Sequence, residues 1–205
     1  MNQIYPVLPL RNFVMFPGLL TTIQATDPYI LSLLPETEEL DGEFLVSLMV
    51  KHDEYFYQTT CLSRVEEVDL SQAPLIQLTL RGLSKFQVDT CPSTEPVIFG
   101  EGNILEDYYK SQDEARKDAL RLGKLIKRYI FLDEARPDAL LQAVSFISDP
   151  NILTNFCCHY FLDDPYEKQE FLQILNVNTR ITKALNFLEI KVNKKIKSDQ
   201  NILVY

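Results

Sequence analysis

The spacing of apolar residues changes near residue 110, and this change restricts the chain to a fold with two differently built parts. Before it, apolar residues alternate with polar ones or run in short blocks between turn signals, which is typical of β-strands. After it, they recur every three or four positions, which is typical of amphipathic helices. The sequence therefore predicts an α+β fold, with a β-rich part over residues 1–109 and an α-helical bundle over residues 110–205.

The first part contains several segments with the pattern of strands. Residues 44–50 are apolar on both faces and predict a central strand, and residues 19–25 and 61–68 are further candidates. Residues 76–80 alternate and predict a half-buried strand that stops at Gly82. We expect Gly82 to turn a hairpin into the next strand, because glycine reaches positive φ without steric penalty.

The second part predicts five helices joined by short loops. Asp149-Pro150 and Asp164-Pro165 each place a capping aspartate before a proline at the first helical position. Asp27-Pro28 gives the same signal for one short helix in the first part, and Asn178 can cap the last helix. Helices connected in this way form a bundle.

The glycines exclude the common nucleotide-binding loops. A Walker A loop needs a glycine five residues before a Gly-Lys pair, whereas Asp118 stands in that position before Gly123-Lys124. Leu105 stands where a dinucleotide-binding fingerprint starting at Gly100 needs its last glycine. We therefore expect no cofactor.

Residues for metal binding or catalysis are equally scarce. His52 and His159 are the only histidines, so no paired-histidine zinc motif can form. Neighbouring residues on a helix point about 100° apart, so Cys157-Cys158-His159 cannot converge on one ion, and packing is the expected role of this cluster. Since no nucleophile is accompanied by a base, we predict no catalytic residues, no metal site and a protein that is not an enzyme.

Charge and composition restrict partners and location. The net charge is −9, and residues 178–205 carry six basic and two acidic residues, so this end is +4 and the remainder is −13. An acidic body disfavours nucleic acid as a partner. No signal-peptide pattern, no apolar run of about 18 residues and no disulfide spacing among the four cysteines are found. We expect a cytoplasmic protein with free thiols and no membrane contact.

An apolar run near the N-terminus is the candidate surface for binding polypeptides. It contains more large apolar residues than one strand face normally buries, and methionine and aromatic side chains suit adaptable contacts. Burial of the run in the core remains an equal alternative, because exposure cannot be judged from the sequence. The candidate residues are Phe13, Val14, Met15, Phe16 and Leu19.

Several segments resemble, in the same order, the N-terminal domain of the Lon protease family. Residues 7–18 match its opening of an apolar residue, Leu-Pro-Leu-Arg and a hydrophobic stretch that ends in Pro-Gly. The chain departs from the family at residues 21–24, where a second proline is common, and in the short loop around residues 52–55. The other matching segments are residues 59–68, 78–86 and 149–188, with the Val-Asn-x-Arg step at 177–180, so that the resemblance spans about residues 5–197.

The resemblance implies a PUA-like pseudo-barrel in the β-rich part and a protein-binding function. No residue here matches the phosphate loop or the Ser-Lys dyad of Lon enzymes, so neither activity is carried over. The implied partners are unfolded or tagged protein substrates, or a full-length Lon or another protease. Docking on a protease would use the basic last helix, with Lys191, Lys194 and Lys195 as candidates. An RNA-binding PUA-like module is the alternative, which the acidic body disfavours.

Overall fold

A computed structural model describes residues 2–50, 55–72, 74–133 and 139–202. Within these ranges the chain forms six strands and six helices, with a short 3-10 turn after the first helix. The elements are β1 (Gln3–Leu10), β2 (Leu20–Ala25), α1 (Tyr29–Thr37), β3 (Glu43–Leu48), β4 (Thr59–Gln72), β5 (Leu75–Ser93), β6 (Phe99–Leu105), α2 (Gln112–Leu132), α3 (Ala139–Phe146), α4 (Pro150–Phe161), α5 (Pro165–Gln173) and α6 (Val177–Ile202).

These elements are divided between two compact units. Unit 1 contains the chain up to Glu106 together with Asp163–Gln173, and unit 2 contains Asp107–Leu162 and the chain from Ile174 onward. The predicted α+β class, a β-rich part followed by helices, is confirmed. One helix of the second part, α5, packs with the strands: Gln169 Nε2 donates a hydrogen bond to the Thr59 carbonyl oxygen at 2.7 Å. The domain division at 109/110 stays a prediction.

The sheet of unit 1 closes on itself. Its strand order is β2-β5-β4-β3-β1-β6, and β6 also pairs with β5. The pairing of β1 with β3 is parallel and the other pairings are antiparallel. Five strands therefore form a barrel, and β2 pairs with the first half of β5 beside it. Residues 44–48 of β3 are buried on both faces, which confirms the predicted central strand.

The predicted hairpin at Gly82 is wrong. β5 runs from Leu75 to Ser93 without interruption, with Gly82 inside it, where the partner strand changes from β2 to β6. Glycine is needed at this position for close approach, since a Cβ atom here would collide with the carbonyl oxygen of Phe16. Backbone bonds of 2.9 Å, from Gly18 N to Gly82 O and from Gly82 N to Leu19 O, hold the two segments together.

The last helix is also capped differently from the prediction. α6 begins at Val177, and Asn176 Oδ1 accepts a hydrogen bond from Thr179 N at 3.2 Å, as an N-cap side chain does. The Asn178 amide instead bonds the backbone just before α2, accepting from the N–H groups of residues 110 and 111. Asn178 therefore joins the start of α6 to the start of α2, within unit 2.

A buried arginine holds unit 2 together. Arg180 is fully buried, and its two terminal nitrogens each donate to one carboxylate oxygen of Asp107 at 3.0 Å. The same nitrogens also donate to the carbonyl oxygen of Ile174, at 2.7 Å, and to the side-chain oxygen of Asn151. The planar guanidinium suits this paired geometry, which a lysine could not reproduce. One side chain thus connects three segments of unit 2, namely the segment at Asp107, helix α4 and the turn before α6.

We expect Arg180→Ala to lower the free energy of unfolding by about 3–5 kcal/mol, because it leaves the Asp107 carboxylate, whose side chain is only 11% exposed, without its counterion. The matched control is Arg121→Ala, which removes an exposed arginine 3.1 Å from Asp118 and should lower stability by no more than about 1 kcal/mol. Urea unfolding followed by circular dichroism measures both. Equal losses in the two variants would contradict the central role of Arg180.

We expect Gly82→Ala to lower the free energy of unfolding by about 1–3 kcal/mol, because the added methyl group must displace the Phe16 backbone. Gly123 in α2 is the control position, since a Cβ there meets its nearest atom, in Leu153, at 3.8 Å. Gly123→Ala should stabilise the protein by up to about 1 kcal/mol through helix propensity. Thermal melts compare the two, and an unchanged melting temperature for Gly82→Ala would contradict the close-approach role.

Candidate functional site

The apolar run predicted as a binding surface lies between β1 and β2. Val14, Met15, Phe16 and Leu19 are buried, with Met15 and Phe16 at 0% exposure, and Phe13 is partly exposed. Packing in the core, the alternative that the sequence left open, therefore describes four of the five side chains. A role of the run in binding polypeptides stays a prediction, and Phe13 is the member of the run with accessible surface.

Phe13 lies in a cleft of about 400 Å³ in unit 1. One wall is the end of β1 and the segment after it, residues 10–13, and the other is residues 22–25 of β2. Leu10, Phe13 and Ile23 supply apolar lining, and Arg11 supplies a positive charge. The volume lies within the range of ligand-binding clefts. An apolar side chain of a bound molecule can therefore be accommodated between the two walls.

The two faces of β2 differ in polarity. On one face, Thr22 Oγ1 lies 3.2 Å from Thr79 Oγ1, and Gln24 Nε2 donates to Gln77 Oε1 at 3.1 Å. Side chains alternate along a strand, so Ile23 points to the other face, where it is buried to 9% exposure. Over residues 22–25, β2 therefore has a polar, hydrogen-bonded face and an apolar face.

The basic residues predicted for docking are largely engaged within unit 2. Lys191 Nζ donates to the Phe161 carbonyl oxygen at 2.7 Å and lies 5.0 Å from the centre of the Phe187 ring. Lys195 Nζ is 3.2 Å from Asp133 Oδ1. Lys194 is exposed. Docking through these residues stays a prediction, and Lys194 is the most accessible of the three.

The cysteine-rich cluster of α4 is part of the core. Cys157 and Cys158 are each 1% exposed, and burial raises the pKa of Cys157 well above its usual value. Burial likewise raises the pKa of Cys61 to about 12, so neither thiol supplies a nucleophilic thiolate at neutral pH. The predicted packing role of the cluster is confirmed. Of the two histidines, His52 falls outside the described residues.

The described ranges contain neither a metal-binding cluster nor a membrane-spanning helix. No group of three or more His, Cys, Asp or Glu side chains is placed to hold a metal ion among residues 2–50, 55–72, 74–133 and 139–202. In the same ranges, the helices are all too short or too polar to cross a membrane.

A smaller cleft of about 140 Å³ in unit 2 is lined by polar and charged side chains, including Arg116 and Asp149.

Sequence reasoning identified Phe13 but did not find the opposite wall of the cleft. That wall comes from β2, which the sequence predicted as a strand over residues 19–25 but not as part of a binding surface. The available signal was composition, since residues 22–25 alternate in polarity and residues 20–25 contain no charge. The sequence does not show that the two walls lie next to each other, because their placement depends on residues 15–19 crossing β5 at Gly82.

Comparison with known proteins finds one family over nearly the whole chain. Residues 4–189 match the family described as the ATP-dependent protease La (LON) substrate-binding domain. Lon protease 1 of Hydrogenovibrio crunogenus is 24% identical over 206 aligned positions, covering 96% of this chain and 25% of that protein. Lon protease of Parabacteroides distasonis is 24% identical over 212 positions, covering 96% and 26%. The chain thus spans about a quarter of the length of the curated relatives it matches.

Two solved structures share the fold. The N-terminal domain of Mycobacterium avium complex Lon protease superposes with a TM-score of 0.76 at 15% identity, covering 91% of this chain and 98% of that one. A Lon N-terminal domain protein from Xanthomonas campestris gives 0.66 at 18% identity, covering 90% and 98%. At these identities the structures establish the fold alone, whereas the sequence match extends over residues 4–189. This chain therefore belongs to the ATP-dependent protease La (LON) substrate-binding domain family.

Proposed function

We propose that this chain is a non-enzymatic module that binds exposed apolar segments of unfolded or tagged proteins in the cleft of unit 1. The observation that carries the proposal is the partly exposed Phe13, which faces β2 across about 400 Å³ with Leu10 and Ile23 beside it. A large apolar side chain that binds in this space is removed from contact with water on several sides.

The physical chemistry of the cleft favours weak binding to many sequences. Burial of apolar surface contributes about 25 cal/mol per Å², so one aromatic or aliphatic side chain contributes about 1.5–3 kcal/mol. Arg11 is exposed at the rim, where it disfavours basic segments and has little effect on neutral ones. We therefore expect the module to select segments by exposed apolar character.

The family supports this function and suggests its setting. The matched family is described by substrate binding, and the curated relatives are Lon proteases. We propose that segments bound in the cleft are passed to an ATP-dependent protease. A docking contact through α6 would use Lys194 before Lys191 or Lys195, because those two already make contacts within unit 2.

We expect Phe13→Ser to weaken binding of reduced, carboxymethylated α-lactalbumin, a permanently unfolded chain, by about fivefold, because about 1 kcal/mol of apolar contact is lost. Ile104→Ser, which changes a 43% exposed residue of β6 outside the cleft, is the control and should leave binding unchanged. Fluorescence anisotropy measures both affinities, and melting temperatures verify folding. If the unaltered protein does not bind, or if both variants lose affinity equally, the proposal fails.

A further inference from the structure

Outside the barrel, three strands continue as a short open sheet. Residues 76–81 of β5 pair with β2 on one side and with the second half of β4 on the other. Within the described residues, β5 is the only strand that pairs with β2. It is also the only strand that pairs with the part of β4 after Arg64. This sheet therefore has two outer edges, one formed by β2 and one by residues 66–72 of β4.

The two edges differ in the features that prevent strand addition. Sheet edges are usually protected by charged side chains, prolines or bulges. The β4 edge carries Glu66, Glu67 and Asp69, and its register with β5 is interrupted. The β2 edge has the sequence Leu-Thr-Thr-Ile-Gln-Ala, with no charge and no proline, and it pairs with β5 in unbroken register from Leu20 to Ala25. Of these two edges, as far as the described residues show, the β2 edge has fewer features that would prevent another strand from pairing with it.

The backbone of β2 presents unused hydrogen-bonding groups at this edge. Gly82 N donates to Leu19 O. The residues that form backbone hydrogen bonds with β5 are therefore Leu19 and every second residue of β2 after it. The N–H and C=O groups of Leu20, Thr22 and Gln24 therefore point away from β5. Among the described residues, no backbone hydrogen bond to these groups is found.

We propose that an extended segment of an unfolded polypeptide adds to the free edge of β2 as a further strand and lies along the cleft. This inference rests on the proposed function and specifies how the segment is held. Side chains on one face of the added strand would lie on the apolar side of β2, with Ile23, and near Phe13. Those on the other face would lie beside Thr22 and Gln24. The preferred occupant is therefore a segment in which apolar and polar residues alternate.

Backbone recognition explains how one small cleft could serve many partners. In strand addition, main-chain hydrogen bonds supply affinity and the alternate side chains supply a modest preference. Recognition would then depend on the absence of tertiary structure, because a folded protein rarely offers an unpaired strand. A second copy of this chain is a poorer occupant. Residues 10–13 of the second copy lie beside its β2, and they would have to enter the cleft of the first copy together with that strand.

The test uses a fluorescein-labelled peptide of alternating threonine and valine, flanked by glycine and serine, and two N-methylated forms of it. One form carries methyl groups on the valine nitrogens and the other on an equal number of threonine nitrogens. Only one edge of an added strand faces β2, and N–H groups of alternate residues point to opposite edges. We therefore expect one methylated form to bind the full chain at least about tenfold more weakly and the other to keep its affinity.

The outcomes separate strand addition from the broader function. If both methylated forms bind as well as the parent peptide, or both lose affinity equally, strand addition is wrong, although binding of carboxymethylated α-lactalbumin would still support the proposed function. If neither the peptides nor α-lactalbumin bind, the proposed function fails as well. A dimer in sedimentation that the peptide does not dissociate would assign the edge to a second copy and overturn the proposal.

Variants of Thr22 test the same edge from the protein side. Thr22→Pro removes one outward N–H but no backbone hydrogen bond to β5, and it should weaken binding of the unmethylated peptide about fivefold. If Thr22→Pro does not fold, Thr22→Lys places a charge on the edge, and Thr79→Lys places the same charge on the same face of the central strand. Only Thr22→Lys should weaken binding, and equal effects would overturn the assignment.

Discussion

The contact between Gly82 and the backbone of Phe16 determines how unit 1 is arranged. Because Gly82 has no side chain, the segment after β1 can cross β5 at backbone distance, and two hydrogen bonds of 2.9 Å fix it there. This crossing buries Met15 and Phe16 and starts β2 beside β5. It also leaves Phe13 facing β2. The core packing and the cleft are thus two results of one close approach.

The same arrangement explains why β2 has a strand partner on one side only within the described residues. A closed barrel has no strand edges, and five of the six strands described here belong to one. β2 stands outside it, where it can be open along one side without weakening the barrel. On the β4 side of the extension, three carboxylates occupy the corresponding edge. The acidic character of the body therefore protects one edge from pairing, and the uncharged β2 remains available.

Unit 2 depends on a different kind of interaction, a buried positive charge that is paired with a carboxylate. Arg180 contacts Asp107 at the start of unit 2, Asn151 in α4, and the backbone of Ile174, where the chain returns to unit 2. One guanidinium therefore joins three separate segments of this unit. The basic residues toward the end of α6 are partly used in the same way, since Lys195 pairs with Asp133. Part of the positive charge apparent in the sequence therefore makes contacts within unit 2, through Arg180, Lys191 and Lys195.

Local patterns in the sequence predict the α+β class, the central strand β3, the starts of several helices and the family, because periodicity, capping and motif order are local properties of the chain. They also place Phe13 in the candidate binding run. The pairing of Arg180 with Asp107, by contrast, depends on the tertiary structure. Gly82 was misjudged as a turn because its constraint comes from the distant Phe16 backbone, and α5 joins the strands through contacts such as that of Gln169 with Thr59. Burial of the apolar run and the free edge of β2 are relations between segments far apart in the sequence, which no local pattern encodes.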